Sequence, residues 1–224
     1  MHVPDHFLDP QTSIATAAVA LTAVVVATRH ARRELPDDDR VPMAGLVATF
    51  VFAAQMLNFA VGDGTSGHLM GGVLAAVLVG PATAVLCLTA VLVVQAVFFA
   101  DGGVTALGTN VTLMAVVGVL VGWAVFRAAT RLAPPRPAAV PLSAALAALV
   151  SVPVTALVFT GLFAAGGTAA VDLGAVAGAM VGWHALIGIG EAAITLAAVT
   201  AVMWARPDLV FGARRYLGAR TVSA

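Results

Sequence analysis

Met1 and His2 open the sequence with three nitrogens that could grip one metal ion. The free α-amine, the His2 amide nitrogen once deprotonated, and the Nδ1 atom of the His2 ring close a five-membered and then a six-membered chelate. Three nitrogens joined in this way lie in a plane, and planar nitrogen donation favours Ni(II) or Cu(II). A fourth nitrogen must complete the square. His68, at the end of the glycine-rich stretch GDGTSGH (62–68), is a plausible donor. On spacing alone, a histidine at position 2 is more often simply a frayed terminal residue.

Other polar residues offer less. Glu191 lies in an apolar run, where a carboxylate is costly and becomes a functional candidate by default. His184 stands seven residues earlier on the same helix face, so the two could form a structural polar bridge or part of a path for releasing the metal. Asp101 and Asn110 flank the loop ADGGVTALGTN and could hold the amino-terminal segment by hydrogen bonds outside the ligand set, or serve as helix caps. His30, in RHARR, reads as a charged flank. The single Cys87 can form no internal disulfide.

The elements that must position these residues are set by composition. Of 224 residues, 61% are hydrophobic and 10% are charged, and the formal net charge is zero. At roughly 20 apolar residues per span, that is material for about seven membrane helices and no soluble domain of ordinary size. All 11 basic residues are arginine. A Walker A loop needs a lysine on the β/γ-phosphates, so ATP-driven work falls to a partner subunit, and a neutral chain does not suit nucleic acid. Heavy use of Ala, Val, Gly and Arg suggests a GC-rich bacterial genome.

The expected spans are 12–28, 41–61, a doubled crossing in 69–100, 107–126, 141–164 and 174–204. The first lacks the positive leading region of a signal peptide, and it is followed at once by Arg29, Arg32 and Arg33. The run 69–100 is too long for one crossing and is broken at Gly80 and Pro81. If it crosses twice, all the arginines share one face, which positive-inside counting makes cytoplasmic; a single crossing scatters them. The expectation is therefore an all-α integral membrane protein of seven transmembrane helices, N-terminus outside and C-terminus cytoplasmic. The outer face then carries Asp5, Asp9, Asp63, Asp101 and Asp172. Such a field gathers cations, although acidic residues also simply translocate more readily than arginine. Gly118/Gly122 and Gly174/Gly178/Gly182 form small-residue stripes that allow close helix approach, within the bundle or against a partner.

Four blocks carry a family resemblance: MHVPDHFLDP (1–10), GTSGHLMGGVLAAVLVGP (64–81), VQAVFFADGGVTALGTNV (94–111) and HALIGIGEAAIT (184–195). In this order they resemble the cobalt/nickel-specific S components of energy-coupling-factor transporters, the CbiM/NikM family. The resemblance implies one transmembrane substrate-binding domain over 1–224. Residues 1–11 fold into the bundle as the metal-binding segment, and 206–224 form a cytoplasmic tail. It implies that Met1, His2 and His68 bind Ni²⁺ or Co²⁺ as transported substrate, with no catalytic cofactor. The implied partners are a transmembrane coupling subunit, two ATPase subunits and a small accessory membrane subunit, which the 224 residues do not include; the implied location is the bacterial cytoplasmic membrane. One departure stands out: His6 occupies a position where the family has glycine, and is expected to face solvent. The rival readings are a membrane hydrolase, for which no HExxH or Ser/His/Asp set is found, and an S component or passive channel for a small organic solute.

Overall fold

The computed structural model describes residues 1–34, 41–62 and 65–217. The expectations for Asp63 and for Arg40 and Arg220 among the arginines lie outside the described residues.

Helix α1 (Pro10–Glu34) begins where Asp9 accepts a hydrogen bond from the Thr12 N–H at 2.7 Å. Pro10 takes the first helical position, where a missing N–H is harmless. Arg32 and Arg33 sit in the last turn, beside its unpaired carbonyls. Helix α2 (Val41–Gln55) is shorter than the span expected over 41–61. Its remainder is a small antiparallel hairpin, β1 (Phe59–Gly62) with β2 (Thr65–Gly67). The all-α expectation is corrected at this point. Phe59 and Val61 favour extended backbone.

The segment 69–100 does reverse at Gly80 and Pro81. Helix α3 (Gly72–Val79) has only eight residues, a rise of about 12 Å, so it covers less than half of a ~30 Å hydrocarbon core. Residues 69–71, outside any helix and also buried or nearly so, complete this arm, with Gly71 turning at φ 74°. Helix α4 (Pro81–Phe98) runs back. Gly80 makes the corner with φ 98°, and a Cβ there would stand 2.5 Å from Cδ of Glu34, so both conformation and space require glycine. The Glu34 carboxylate accepts from the N–H groups of Ala82 (3.0 Å) and Thr83 (2.7 Å), capping α4 from the far end of α1.

Helix α5 (Leu107–Leu132) contains a π-helical stretch, Val111–Val117. Its wider turns carry Thr112, whose hydroxyl donates to the Thr16 carbonyl at 2.7 Å and ties α5 to α1. Helices α6 (Ala139–Gly166) and α7 (Leu173–Ala205) form a long antiparallel pair. Residues 206–217 turn back onto the bundle: Arg214 donates to the Glu34 carbonyl at 2.7 Å, and Val210 and Ala213 are buried.

Among the described residues, five helices (α1, α4, α5, α6 and α7) are long and apolar enough to cross a membrane. The bundle turns large apolar side chains outward, among them Ile14, Leu21, Leu142 and Ile189, the arrangement that lipid rather than water rewards. Of the two glycine stripes, the first packs inside, since a Cβ on Gly122 would meet Val73 at 2.3 Å; Gly178 and Gly182 face open space.

Candidate metal centre

The amino-terminal segment is threaded into the bundle rather than frayed. Met1, His2 and Val3 are buried. Asn110 grips Val3 from both sides, its Oδ1 accepting from the Val3 N–H at 2.7 Å and its Nδ2 donating to the Val3 carbonyl at 3.1 Å. That carbonyl also accepts from the Gly103 N–H at 2.9 Å. Asp5 is anchored by the backbone N–H and hydroxyl of Thr105. Farther along, Asp9 N–H donates to the Gly166 carbonyl (2.7 Å) and Thr168 N–H to the Phe7 carbonyl (3.1 Å), joining the segment to the α6–α7 connection. Gly102, with φ 87°, leaves room for the His2 ring: a Cβ there would lie 3.0 Å from His2 Cδ2.

The two histidines meet inside. The Met1 amine nitrogen lies 2.7 Å from Nε2 of His68, and the His2 and His68 rings are 4.6 Å apart between centroids. Hydrogen bonds set the tautomers. His68 Nδ1–H donates to the Leu69 carbonyl at 2.8 Å, so Nε2 carries the lone pair and accepts from the amine. His2 Nε2–H donates to Oε1 of Gln95 at 3.3 Å, leaving Nδ1, the atom the chelate requires, as its lone-pair nitrogen. Nδ1 lies 3.1 Å from a carboxylate oxygen of Asp101 but is not aligned with it, and it has no hydrogen-bond partner. Asp101 in turn accepts from Asn58 Nδ2 at 3.1 Å.

Burial prepares these bases electrically. It lowers the amine from its usual range to about 4, Asp101 pulling the other way. His2 falls to about 3 through burial and the neighbouring amine, and His68 goes well below the ordinary imidazole value for the same two reasons. All three are therefore neutral near pH 7, the state in which nitrogen binds a metal. With these groups neutral in the docked segment, the His2 amide is the candidate donor that still carries a proton to lose on binding a metal. Among the described residues no group of three His, Cys, Asp or Glu side chains is placed to hold a metal. A cation held here would draw on main-chain nitrogen.

Three other side chains behave differently from their reading in sequence. Glu191 does not bridge to His184: its two oxygens accept from the N–H groups of Met70 (2.7 Å) and Gly71 (3.0 Å). Gln55 completes this grip by donating to the Met70 carbonyl at 2.8 Å. Together they fix the backbone two residues beyond His68. Gln95 and Gln55 were missed from sequence, although a lone glutamine inside VLVVQAVF or VFAAQML is a signal of buried polar work. His6 is exposed with φ 61°, the left-handed conformation glycine adopts freely, and does not reach the nitrogens.

Residues 2–209 match the family described as the cobalt uptake substrate-specific transmembrane region, CbiM. A Haloquadratum walsbyi protein named for metal transport is 42% identical over 217 residues, covering 94% of each chain. An Archaeoglobus fulgidus protein named for fused nickel transport is 39% identical over 211 residues, covering 94% of this chain and 68% of its own. A crystal structure of a transition metal transporter superposes with a TM-score of 0.81 at 30% identity, covering 92% of this chain and 93% of that one.

Proposed function

The chain belongs to the CbiM family of cobalt uptake substrate-specific transmembrane regions, and from that premise we propose that it captures a divalent transition-metal ion as cargo, Ni²⁺ before Co²⁺. The observation that carries this reading is the buried meeting of the Met1 amine with His68 Nε2 at 2.7 Å beside the His2 ring. The four donors are the Met1 amine, the His2 amide and Nδ1, and His68 Nε2. Binding releases the amide proton, and the nearby Asp101 carboxylate offsets part of the remaining positive charge. Asn110 and Gln95 hold the chelating residues in register. Four in-plane nitrogens suit Ni²⁺ better than Co²⁺.

In this reading the chain is the S component of an energy-coupling-factor importer in the cytoplasmic membrane. It makes seven passes with the metal site outside and the C-terminus inside. A transmembrane coupling subunit and two ATPase subunits supply the energy, since this chain has no lysine for a phosphate loop, and a small accessory membrane subunit assists loading. The test is the metal content and magnetism of protein purified with an unmodified Met1 amine. One diamagnetic, yellow Ni²⁺ per chain is expected. No bound metal, or a paramagnetic octahedral Ni²⁺, would return the reading to a carrier or channel for organic solutes.

A further inference from the structure

At the Glu34 end of the bundle, away from the amino terminus, four arginines surround one space. Arg127 and Arg131 of α5 and Arg214 and Arg215 of the closing segment 206–217 line a cavity of about 250 Å³, and among the described residues no acidic side chain lines it. Like charges gathered in this way repel one another until an anion enters. A phosphate group suits them, since the guanidinium fork matches its oxygens two at a time.

The cavity has fixed walls. Gly212 presses so closely on α5 that a Cβ there would stand 2.8 Å from Cζ of Phe126. The Tyr216 hydroxyl donates to the Thr130 carbonyl at 3.2 Å. Arg214, its guanidinium 4.3 Å over the Phe211 ring, also donates to the Glu34 carbonyl. Trp123 stacks on Phe126 at 5.2 Å between centroids and leans on Phe211 at 5.7 Å. The arginines therefore stand around an aromatic floor held between two elements.

A second space lies along the same helix. Between α1, α4 and α5 runs an apolar groove of about 670 Å³, walled by Val19, Val26, Val85, Val116 and Leu120. Glu34 lines it as well, with its carboxylate committed to Ala82 and Thr83. Leu120, Trp123, Arg127 and Arg131 follow one another at steps of three and four residues, so they share one face of α5. Along that face the surface passes from aliphatic to aromatic to cationic, the order in which a phospholipid presents acyl chain, interface and head group.

We propose that this face of α5 holds an anionic phospholipid, with its phosphate among Arg127, Arg131 and Arg215 and an acyl chain in the groove beside Leu120. Carboxylates of a protein partner would answer the charge but leave the groove bare; a lipid fills both. In the orientation proposed above, the cavity faces the cytoplasmic leaflet, whose anionic lipids draw basic clusters.

The chain has three tryptophans, so Trp183→Phe with Trp204→Phe leaves Trp123 as the reporter. Full-length protein in detergent is titrated with phosphatidylglycerol or phosphatidylcholine brominated on the acyl chain, and quenching of Trp123 is read. Phosphatidylglycerol should quench at about 10-fold lower mole fraction, an advantage that shrinks in high salt. Arg127→Gln with Arg131→Gln should reduce that advantage by about 10-fold with Tm unchanged, because both side chains are exposed. Arg32→Gln with Arg33→Gln removes the same charge from the end of α1 and should leave it in place. Equal quenching by the two lipids, an equal effect of the two double variants, or no quenching by either lipid, as expected of a cavity kept for a protein, overturns the proposal. Displacement of the lipid by inorganic phosphate overturns it in favour of a soluble phosphate compound.

Discussion

The two ends of α1 use buried polar groups to opposite purposes. At the Glu34 end every group has a partner: the carboxylate caps Ala82 and Thr83, and the Glu34 carbonyl receives Arg214. At the Met1 end, His2 Nδ1, Gln95 Nε2 and His184 Nε2 are buried and have none. Satisfied groups make a rigid corner. Unsatisfied ones, each costing about 1–3 kcal/mol when dry, are retained where something else is to occupy the space between them. The contrast teaches that the Glu34 corner pairs its buried polar atoms with neighbours, whereas the amino-terminal end keeps several without protein partners.

The sharpest way to break this contrast is at the ligands. Adding one residue before Met1 turns the amine into an amide and shifts the chelate, and should abolish Ni²⁺ binding measured by titration. His68→Ala should weaken it by about 10–100-fold. Both changes also remove the buried bond between the amine and His68 Nε2, so Tm of the metal-free protein, read alongside, separates lost ligation from lost docking of the segment.

Next in size is the opposite experiment at the other end. Glu34→Ala leaves two N–H groups at the start of α4 unpaired and should cost about 2–4 kcal/mol of stability, read by thermal or denaturant unfolding. The Ni²⁺ affinity of the folded fraction should hold. A large loss of affinity there would show that the two ends are coupled.

Acid should separate the ends as well. The amine and both imidazoles have folded pKa values below their ordinary ones, so the released segment binds more protons than the docked one. Docking is therefore fully supported above the ordinary amine value and weakens as pH falls through ~8 and then ~6.5. Hydrogen exchange over residues 1–8, corrected for its intrinsic pH dependence, should rise between pH 8 and 5 in metal-free protein. Residues 80–85 should stay protected.

The smallest expected effect is at His6, where a side chain occupies φ 61°. His6→Gly should raise Tm slightly, by up to about 1 kcal/mol of stability, without altering the Ni²⁺ spectrum.

Of the residues singled out in the sequence by their chemistry, Met1, His2, His68, Asp101 and Asn110 do lie together; that they hold a metal is the proposal made above. The reversal at Gly80 was legible too, as proline and glycine act locally. What escaped was decided by distant backbone. Glu191 and His184 share a face, which suggests a pair, but the two N–H groups of Met70 and Gly71 offer the carboxylate better partners. Gln95 sits in a run apolar on all sides, where periodicity cannot say which side chain turns inward.

The seam between the amino-terminal segment and residues 166–168 also carries a consequence in time. Asp9 and Phe7 are fastened by Gly166 and Thr168, so during synthesis residues 7–9 cannot be locked until residues 166–168 have followed. Throughout that interval the segment Met1–Val3, buried in the folded chain, has no walls to pack against. The inner lining of the bundle is thus closed by one of its earliest pieces only after one of its latest has arrived.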